Sequence, residues 1–208
     1  MPEKLDVAPT RGNLLQLRDQ LEQYQQGHDL LDRKREVLTH KLFQMFDQAE
    51  EIEQEARKRF KAAHEAVNQA RMKIGLDRLQ WISLSPSADI SVDVESQSIM
   101  GVMTAIVSIK IRTLPIPYGP GDTVVALDKA HQKWLNVAQI LGDLVESTVT
   151  VWRLATELRK TQRQVNALEQ ILIPRYQATI EDISNTLEEK EREEIVHAKK
   201  VKHGLAED

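Results

Sequence analysis

The chain has 208 residues, a formal net charge of −4 and 29% charged residues, which together predict a folded, soluble protein. It contains no cysteine, which excludes disulfide scaffolds, zinc ribbons and thiol catalysis. The acidic balance argues against nucleic-acid binding. No signal-peptide pattern or membrane-spanning apolar run is present, so we expect a cytoplasmic protein.

After an N-terminal extension (residues 1–12), residues 13–75 are predicted to form one long helix. Apolar side chains recur at alternating spacings of three and four residues, the heptad pattern typical of a coiled-coil seam. Thr10 or Asn13 can cap the helix start, and Gly75 suits its end. His28 and Arg35 are polar residues at seam positions. The apolar seam residues of this helix are Leu14, Leu17, Leu21, Leu31, Leu38, Leu42, Met45 and Ile52.

A second long helix is predicted for residues 131–196, followed by a flexible tail over 197–208. Its apolar stripe begins with Leu135, Ala138, Leu141, Leu144 and Val145 and continues through Val149 and Trp152. The stripe resumes in phase after Pro174, so we expect a kink within one helix there. The seam residues of this helix are Leu158, Val165, Leu168, Leu172 and Ile183.

The central insert, residues 76–130, differs from its flanks. Of the 55 residues in the insert, 10 are charged, whereas 26 of the 75 residues in 1–75 are charged. Polar and apolar residues alternate strictly from Asp89 to Glu95, which is typical of a β-strand. Residues 99–102 and 105–109 form a second β-rich stretch, and a turn-rich loop follows at 115–121. A small β-hairpin is therefore predicted in the insert.

The two long helices are predicted to pack on each other. A helix with a narrow apolar stripe is not stable alone, because packing supplies most helical stability. The simplest packing partner for each long helix is the other long helix of the same chain. The fold class is therefore predominantly α: a long antiparallel two-helix coiled coil, shaped as a rod, with a small β-hairpin insert.

No catalytic, cofactor or metal site is predicted. Asp89, Asp93 and Glu95 share a strand face and could ligate a hard cation, but a solvated face is the better interpretation. Residues 119–122 resemble a phosphate loop only superficially, since no Lys-Ser or Lys-Thr follows. The basic run 57–59 follows four carboxylates at helical spacing, which favours ion pairs along the helix over a nucleic-acid patch.

Several motifs together resemble one known family. The N-terminal signature of the D subunit of V-type and A-type rotary ATPases resembles Pro9-Thr10-Arg11 and residues 27–36 of this chain. The middle motif of that family resembles residues 99–102. Its C-terminal signature resembles residues 163–169 and 173–176. Two residues depart from the family pattern: Asp32 replaces a usual Lys, and Gln164 a usual Arg. The motif positions are Thr10, Arg11, Lys34, Arg35, Gly101, Arg163, Asn166, Glu169, Pro174 and Arg175.

The resemblance implies a non-catalytic central rotor shaft. Such a shaft transmits torque between ATP hydrolysis or synthesis in the A and B subunits and H⁺ or Na⁺ translocation through a membrane ring. Its implied partners are the A, B, F and C subunits (the last called d in eukaryotes), on the cytoplasmic face and without membrane insertion. The alternative is a stand-alone coiled-coil adaptor or chaperone-like scaffold. In this family the A and B subunits form a hexamer around the shaft, and the candidate hexamer-facing charges are Arg11, Arg18, Arg192, Lys199 and Lys200.

Overall fold

A computed structural model describes residues 4–84, 88–113 and 125–204. The predicted fold class is confirmed: the long N-terminal and C-terminal helices pack against each other, with a two-stranded antiparallel sheet between them in the sequence. The loop predicted at 115–121 lies outside the described residues. The elements in chain order are α1 (Arg11–Ile74), α2 (Leu76–Ser83), β1 (Ala88–Ile99), β2 (Val102–Thr113), α3 (Val125–Ala167), a π-helical turn (Leu168–Leu172) and α4 (Ile173–Gly204).

Helix α1 has defined signals at both ends. The hydroxyl of Thr10 accepts a hydrogen bond from the backbone N–H of Asn13 at 3.2 Å, so Thr10 is the N-cap. The helix ends at Ile74, and Gly75 follows with φ +84°, a conformation that a side chain with a Cβ would strain. These two residues set the length of α1.

The chain divides into two compact units, and α1 contributes to both. The first unit combines residues 1–37 with 158–208, and Leu17, Val165 and Ile183 are buried in it. The second unit comprises residues 38–157. Its buried apolar residues include Leu38, Ala56, Ala63, Ala66, Ala70, Val137, Ile140 and Leu154.

Helix α2 was not predicted. In the second unit, Ala70 of α1 and Ala126 and Leu127 of α3 form a small buried cluster. Ile74 and, from α2, Leu79 and Ile82 pack against it. An eight-residue helix is too short for its periodicity to stand out from the sequence, and its stability comes from this packing.

The β-hairpin turns at Met100 and Gly101. The two strands pair antiparallel from Ala88 opposite Thr113 to Ile99 opposite Val102. Met100 has φ +53° and Gly101 has φ +78°, the positive values that a two-residue hairpin turn of type I′ requires at both positions. Residues 99–102, expected within a β-rich stretch, therefore contain the turn.

The C-terminal helical region is longer than expected at both ends. It starts at Val125, within the predicted insert, and its last helix continues to Gly204, beyond the predicted end at residue 196. Residues 197–204, expected in a flexible tail, have helical backbone. Helical structure continues through Pro174, and the turn before it has π-helical geometry.

Candidate functional site: the helix seam and the exposed surfaces

The predicted seam residues all lie inside the packed parts of the two units. Leu38 has no exposed surface, and Leu17, Val165 and Ile183 are also buried. The remaining nine are half-buried: Leu14, Leu21, Leu31, Leu42, Met45, Ile52, Leu158, Leu168 and Leu172.

One part of the predicted C-terminal stripe is wrong. Leu141, Val145 and Trp152 are exposed, and Trp152 keeps 67% of its surface accessible. The buried face of α3 is instead formed by residues that include Val137, Ile140 and Leu154. Helix α3 is apolar on two faces in this region, so periodicity could not identify the packed one.

Within the described chain, the seam has no fully buried α1 side chain in the middle of the first unit. Among the described residues, α1 has no buried side chain between Leu17 and Leu38. The rings of Tyr24 and Tyr176 meet edge to face there, with centroids 5.0 Å apart. Polar seam positions are associated with fixed register at a cost in stability.

A second polar contact lies close to Leu38 along α1. Nη2 of Arg35 lies 2.6 Å from Oδ1 of Asp32, and Nη1 of Arg35 donates to Oε1 of Gln162 at 3.5 Å. Asp32 is thus an ion-pair partner of Arg35.

The π-helical turn lies a few residues after Gln162 in the sequence of the C-terminal helix. The backbone N–H of Ile173 donates to the carbonyl oxygen of Leu168, five residues earlier. Pro174 has no N–H, and its ring would collide with the carbonyl four residues back in a regular α-helix. The wider turn accommodates that ring without ending the helix.

The segment before α1 lies against α4. Nζ of Lys4 is 2.5 Å from Oδ1 of Asp182, and the backbone N–H of Leu5 donates to the hydroxyl of Thr179 at 3.0 Å. Arg11 forms an ion pair with Glu191. These contacts fix the beginning of the described chain on its last helix.

The candidate hexamer-facing charges lie on exposed helix surfaces. Arg11 and Arg192 are ion-paired, the latter with Glu188 at 3.7 Å. Arg18 and Lys199 are exposed. The side chain of Lys200 lies outside the described part of the structure.

The hairpin is held on α3 through strand β2. The backbone N–H of Val107 donates to Oε2 of Glu146 at 2.9 Å, and Nη1 of Arg153 donates to the carbonyl oxygen of Met103 at 2.5 Å. Gly142 allows close approach, since a Cβ there would lie 3.1 Å from Cδ1 of Ile109. No local sequence pattern predicts this contact, because it is made by single residues that lie far apart in the chain.

The described residues of the second unit include two sets of exposed apolar side chains on or beside its helices. The first, the α3 stripe, shares one helix face because its members are seven, four and seven residues apart: Trp134, Leu141, Val145 and Trp152. The second, the α1–α2 corner, comprises Met72, Leu76, Trp81 and Leu84. Exposed apolar patches of this kind mark protein–protein contacts.

The family-motif positions serve mainly local structure. Thr10 caps α1, Gly101 forms the hairpin turn, and Pro174 follows the π-helical turn that contains Glu169. Asn166 accepts from Nε2 of Gln162 at 2.7 Å. Lys34 is half-buried and Arg163 is exposed, while Nε of Arg175 is buried with no hydrogen-bond partner in the described residues.

The acidic strand face holds an ion pair. Nζ of Lys110 lies 2.6 Å from Oδ2 of Asp93, and this hydrogen bond raises the pKa of Lys110. Within residues 4–84, 88–113 and 125–204, no group of three or more His, Asp or Glu side chains is placed to hold a metal ion. No helix in the same ranges has the length and apolar character needed to cross a membrane. The expected helix pairs are present: Arg57 with Glu53 at 2.6 Å and Arg59 with Glu55 at 2.8 Å.

Comparison with known proteins identifies the family. A model of the family described as the D subunit of ATP synthase matches residues 13–203. The chain belongs to this family. It is 34% identical to the V-type ATP synthase D subunit of Thermotoga neapolitana over 97% of this chain and 100% of the relative. It is 36% identical to the A-type ATP synthase D subunit of Methanopyrus kandleri, over 95% of this chain and 86% of the relative.

A third relative, the A-type ATP synthase D subunit of Pyrococcus furiosus, is 35% identical over 97% of this chain and 96% of its own length. The matched region contains nearly all of α1, the hairpin and nearly all of α4. The D subunit of ATP synthase is a stalk component of a rotary ATPase and not its catalytic component. The resemblance in the sequence motifs is therefore confirmed.

Proposed function

We propose that this D subunit is the central rotor shaft of a V/A-type ATPase. It transmits torque between ATP hydrolysis or synthesis in the A and B subunits and the translocation of H⁺ or Na⁺ through a membrane ring. It works on the cytoplasmic face of the membrane. The observation that carries the proposal is the packing of two long helices along a seam in which Leu17, Leu38, Val165 and Ile183 are buried.

Torque transmission requires that the two helices do not slip along each other. In the first unit, Lys4 forms an ion pair with α4 and Leu5 forms a hydrogen bond with it. The rings of Tyr24 and Tyr176 are in edge-to-face contact. In the second unit, Nζ of Lys133 donates to the carbonyl oxygen of Ala62 at 3.3 Å. Contacts of this kind in both units oppose a register shift.

The exposed surfaces suit the partners that this role requires. We assign the α3 stripe to the F subunit, because an apolar helix face needs a cover to remain soluble. The α1–α2 corner is apolar and suits the docking of the C subunit. The exposed charges Arg11, Arg18, Arg192 and Lys199, with Lys200, suit contacts to the surrounding A and B subunits. Exposed ion pairs contribute about 1 kcal/mol or less each. Contacts of this strength to the A and B subunits can break and re-form as the shaft rotates.

Reconstitution of the ATPase complex tests the rotor function. A chain lacking residues from Glu188 onward should leave ATP hydrolysis active but reduce ion transport per ATP hydrolysed. The matched control is Arg192→Ala, which should change turnover only modestly, because water screens its ion pair with Glu188. Full coupling without this chain, or ATP hydrolysis by the chain alone, would contradict the proposal.

The assignment of the F subunit has its own test. Trp152→Ala should weaken co-purification of the F subunit by at least about tenfold, since aromatic residues dominate interface energetics. The control is Leu30→Ala, which removes another exposed apolar side chain outside the α3 stripe. Equal loss in both variants would exclude the α3 stripe as the binding surface. A stand-alone adaptor, in contrast, would be isolated without the A, B and F subunits.

A further inference from the structure

The outer edge of strand β1 is open. The sheet has two strands, so each strand has one edge that its partner does not cover. Side chains of α3 bond the outer edge of β2, through Glu146 and Arg153. Among the described residues, no backbone group of another element bonds the outer edge of β1.

The hydrogen-bond pattern shows which backbone groups form this edge. The N–H of Val107 donates to Glu146, so it points away from β1. In an antiparallel pair, residues opposite each other point their backbone groups either both inward or both outward. Val94 lies opposite Val107, so its N–H and C=O point outward. Because backbone groups point outward at every second residue of a strand, the N–H and C=O of Val92 and Ile90 also point outward.

The same residues present apolar side chains. Ile90, Val92 and Val94 lie opposite Ile111, Ile109 and Val107, and therefore share the sheet face on which Ile109 approaches Gly142. They nevertheless keep 51%, 54% and 65% of their surface exposed. Helix α3 covers β2, whose alternate side chains are half-buried, whereas every residue from 89 to 98 is exposed.

The opposite face of β1 is acidic. Asp89, Asp93 and Glu95 lie on it, whereas the basic residues of this face, Lys110 and Arg112, are on β2. A strand added beside β1 would place its side chains next to the carboxylates. A second copy of β1 paired antiparallel would bring like charges together, which destabilises cross-strand pairs.

We propose that the edge of β1 accepts an extended segment of another polypeptide, paired antiparallel, in which Lys or Arg alternates with β-branched apolar residues. The basic side chains would lie beside Asp89, Asp93 and Glu95, and the apolar ones beside Ile90, Val92 and Val94. The main-chain hydrogen bonds supply affinity and the alternate side chains supply specificity. This surface is separate from the α3 stripe, and the proposal goes beyond the rotor function.

A synthetic peptide of eight alternating Lys and Val residues, labelled for fluorescence anisotropy, tests the proposal on the full-length chain. In the antiparallel arrangement, each Val of the peptide lies opposite an apolar residue of β1 and directs its N–H toward β1. N-methylation of the Val amides should abolish binding. The matched peptide, methylated on the Lys amides, should bind like the parent, since those amides point to solvent.

Variants of the chain give an independent readout. Val92→Pro removes one outward N–H without removing a hydrogen bond between β1 and β2, and should weaken binding about tenfold. Val92→Thr, which keeps the N–H and the shape, is the control. Glu95→Gln should weaken binding more at low than at high salt.

Protection of β1 amides from hydrogen exchange in the bound chain would locate the peptide on this edge. The proposal is overturned if the parent peptide does not bind or if the peptide methylated on Val binds equally well. Unchanged affinity in a folded Val92→Pro variant would also overturn it. Formation of a dimer through β1 in solution would replace the proposed occupant with a second copy of the chain.

Discussion

The ring of Tyr24 on α1 meets the ring of Tyr176 on α4 edge to face, with 5.0 Å between centroids and 70° between planes. A side-chain hydrogen bond to Tyr24, and then burial, raise the pKa of Tyr176 above its ordinary value of 10.0. The pair therefore links the two long helices through a contact that can be titrated.

Replacing Tyr24 by Phe should bring the pKa of Tyr176 back toward 10.0, because the hydrogen bond that holds its proton is lost. The measurement is tyrosinate absorbance during alkaline titration. Since the chain has three tyrosines, a Tyr118→Phe background leaves only the pair visible. An unchanged titration of Tyr176 in the variant would contradict the contact.

The same pair predicts the direction of a pH effect on stability. Above pH 10.0 the unfolded chain loses the Tyr176 proton while the folded chain keeps it. Its contribution to the free energy of unfolding is therefore complete below that pH, and it declines as the pH rises toward the folded-state pKa. Urea unfolding from about pH 9 to about pH 11 should show a smaller decline for Tyr24→Phe than for the natural chain.

Leu38→Ala should lower the free energy of unfolding by about 2–5 kcal/mol, because it leaves a cavity where a fully buried side chain packs. Leu30→Ala is the matched control on the same helix. Leu30 is 70% exposed, so its truncation should change stability by no more than about 0.5 kcal/mol. Similar losses for the two variants in urea unfolding would show that the buried face is misassigned. Leu42→Ala should cost less than Leu38→Ala, since Leu42 is half-buried.

Two helical glycines should respond oppositely to alanine. A Cβ at Gly27 would have open space around it, so Gly27→Ala should stabilise the chain by about 0.5–1 kcal/mol through helix propensity. A Cβ at Gly142 would lie 3.1 Å from Ile109, so Gly142→Ala should displace β2. The cost of this displacement should cancel the stabilisation that alanine brings through helix propensity. Thermal unfolding measures both, and stabilisation by both would show that α3 and the hairpin are less closely packed than described.

Glu146→Ala should loosen the hairpin from α3. A hydrogen bond to a charged acceptor is worth about 1.5–3 kcal/mol, and the variant leaves the N–H of Val107 without its acceptor. Hydrogen exchange of β2 amides should accelerate. Asp143→Ala removes a nearby exposed carboxylate as the control, and Glu146→Gln keeps an acceptor and should have an intermediate effect.

Sequence periodicity predicted the long helices because heptad spacing persists over many turns, and the strict alternation at 89–95 predicted β1. It could not choose between the two apolar faces of α3, so Leu141, Val145 and Trp152 were assigned to the wrong side. The hairpin turn was not located, because Met100 is a non-glycine residue at positive φ. These features depend on tertiary packing, which local pattern does not contain.

The π-helical turn at Leu168–Leu172 has a consequence for chain length. A turn closed by a bond to the fifth residue back contains one residue more than an α-helical turn. Deleting one residue there, together with replacing Pro174, whose ring does not fit a regular α-helix, can restore α-helical geometry while Tyr176, Thr179 and Ile183 keep their side of the helix. Elsewhere along the two helices, a one-residue deletion rotates all following side chains by about 100° and moves them off the seam. Within the two long helices, this turn is thus a position at which a one-residue deletion, combined with the replacement of Pro174, preserves the seam.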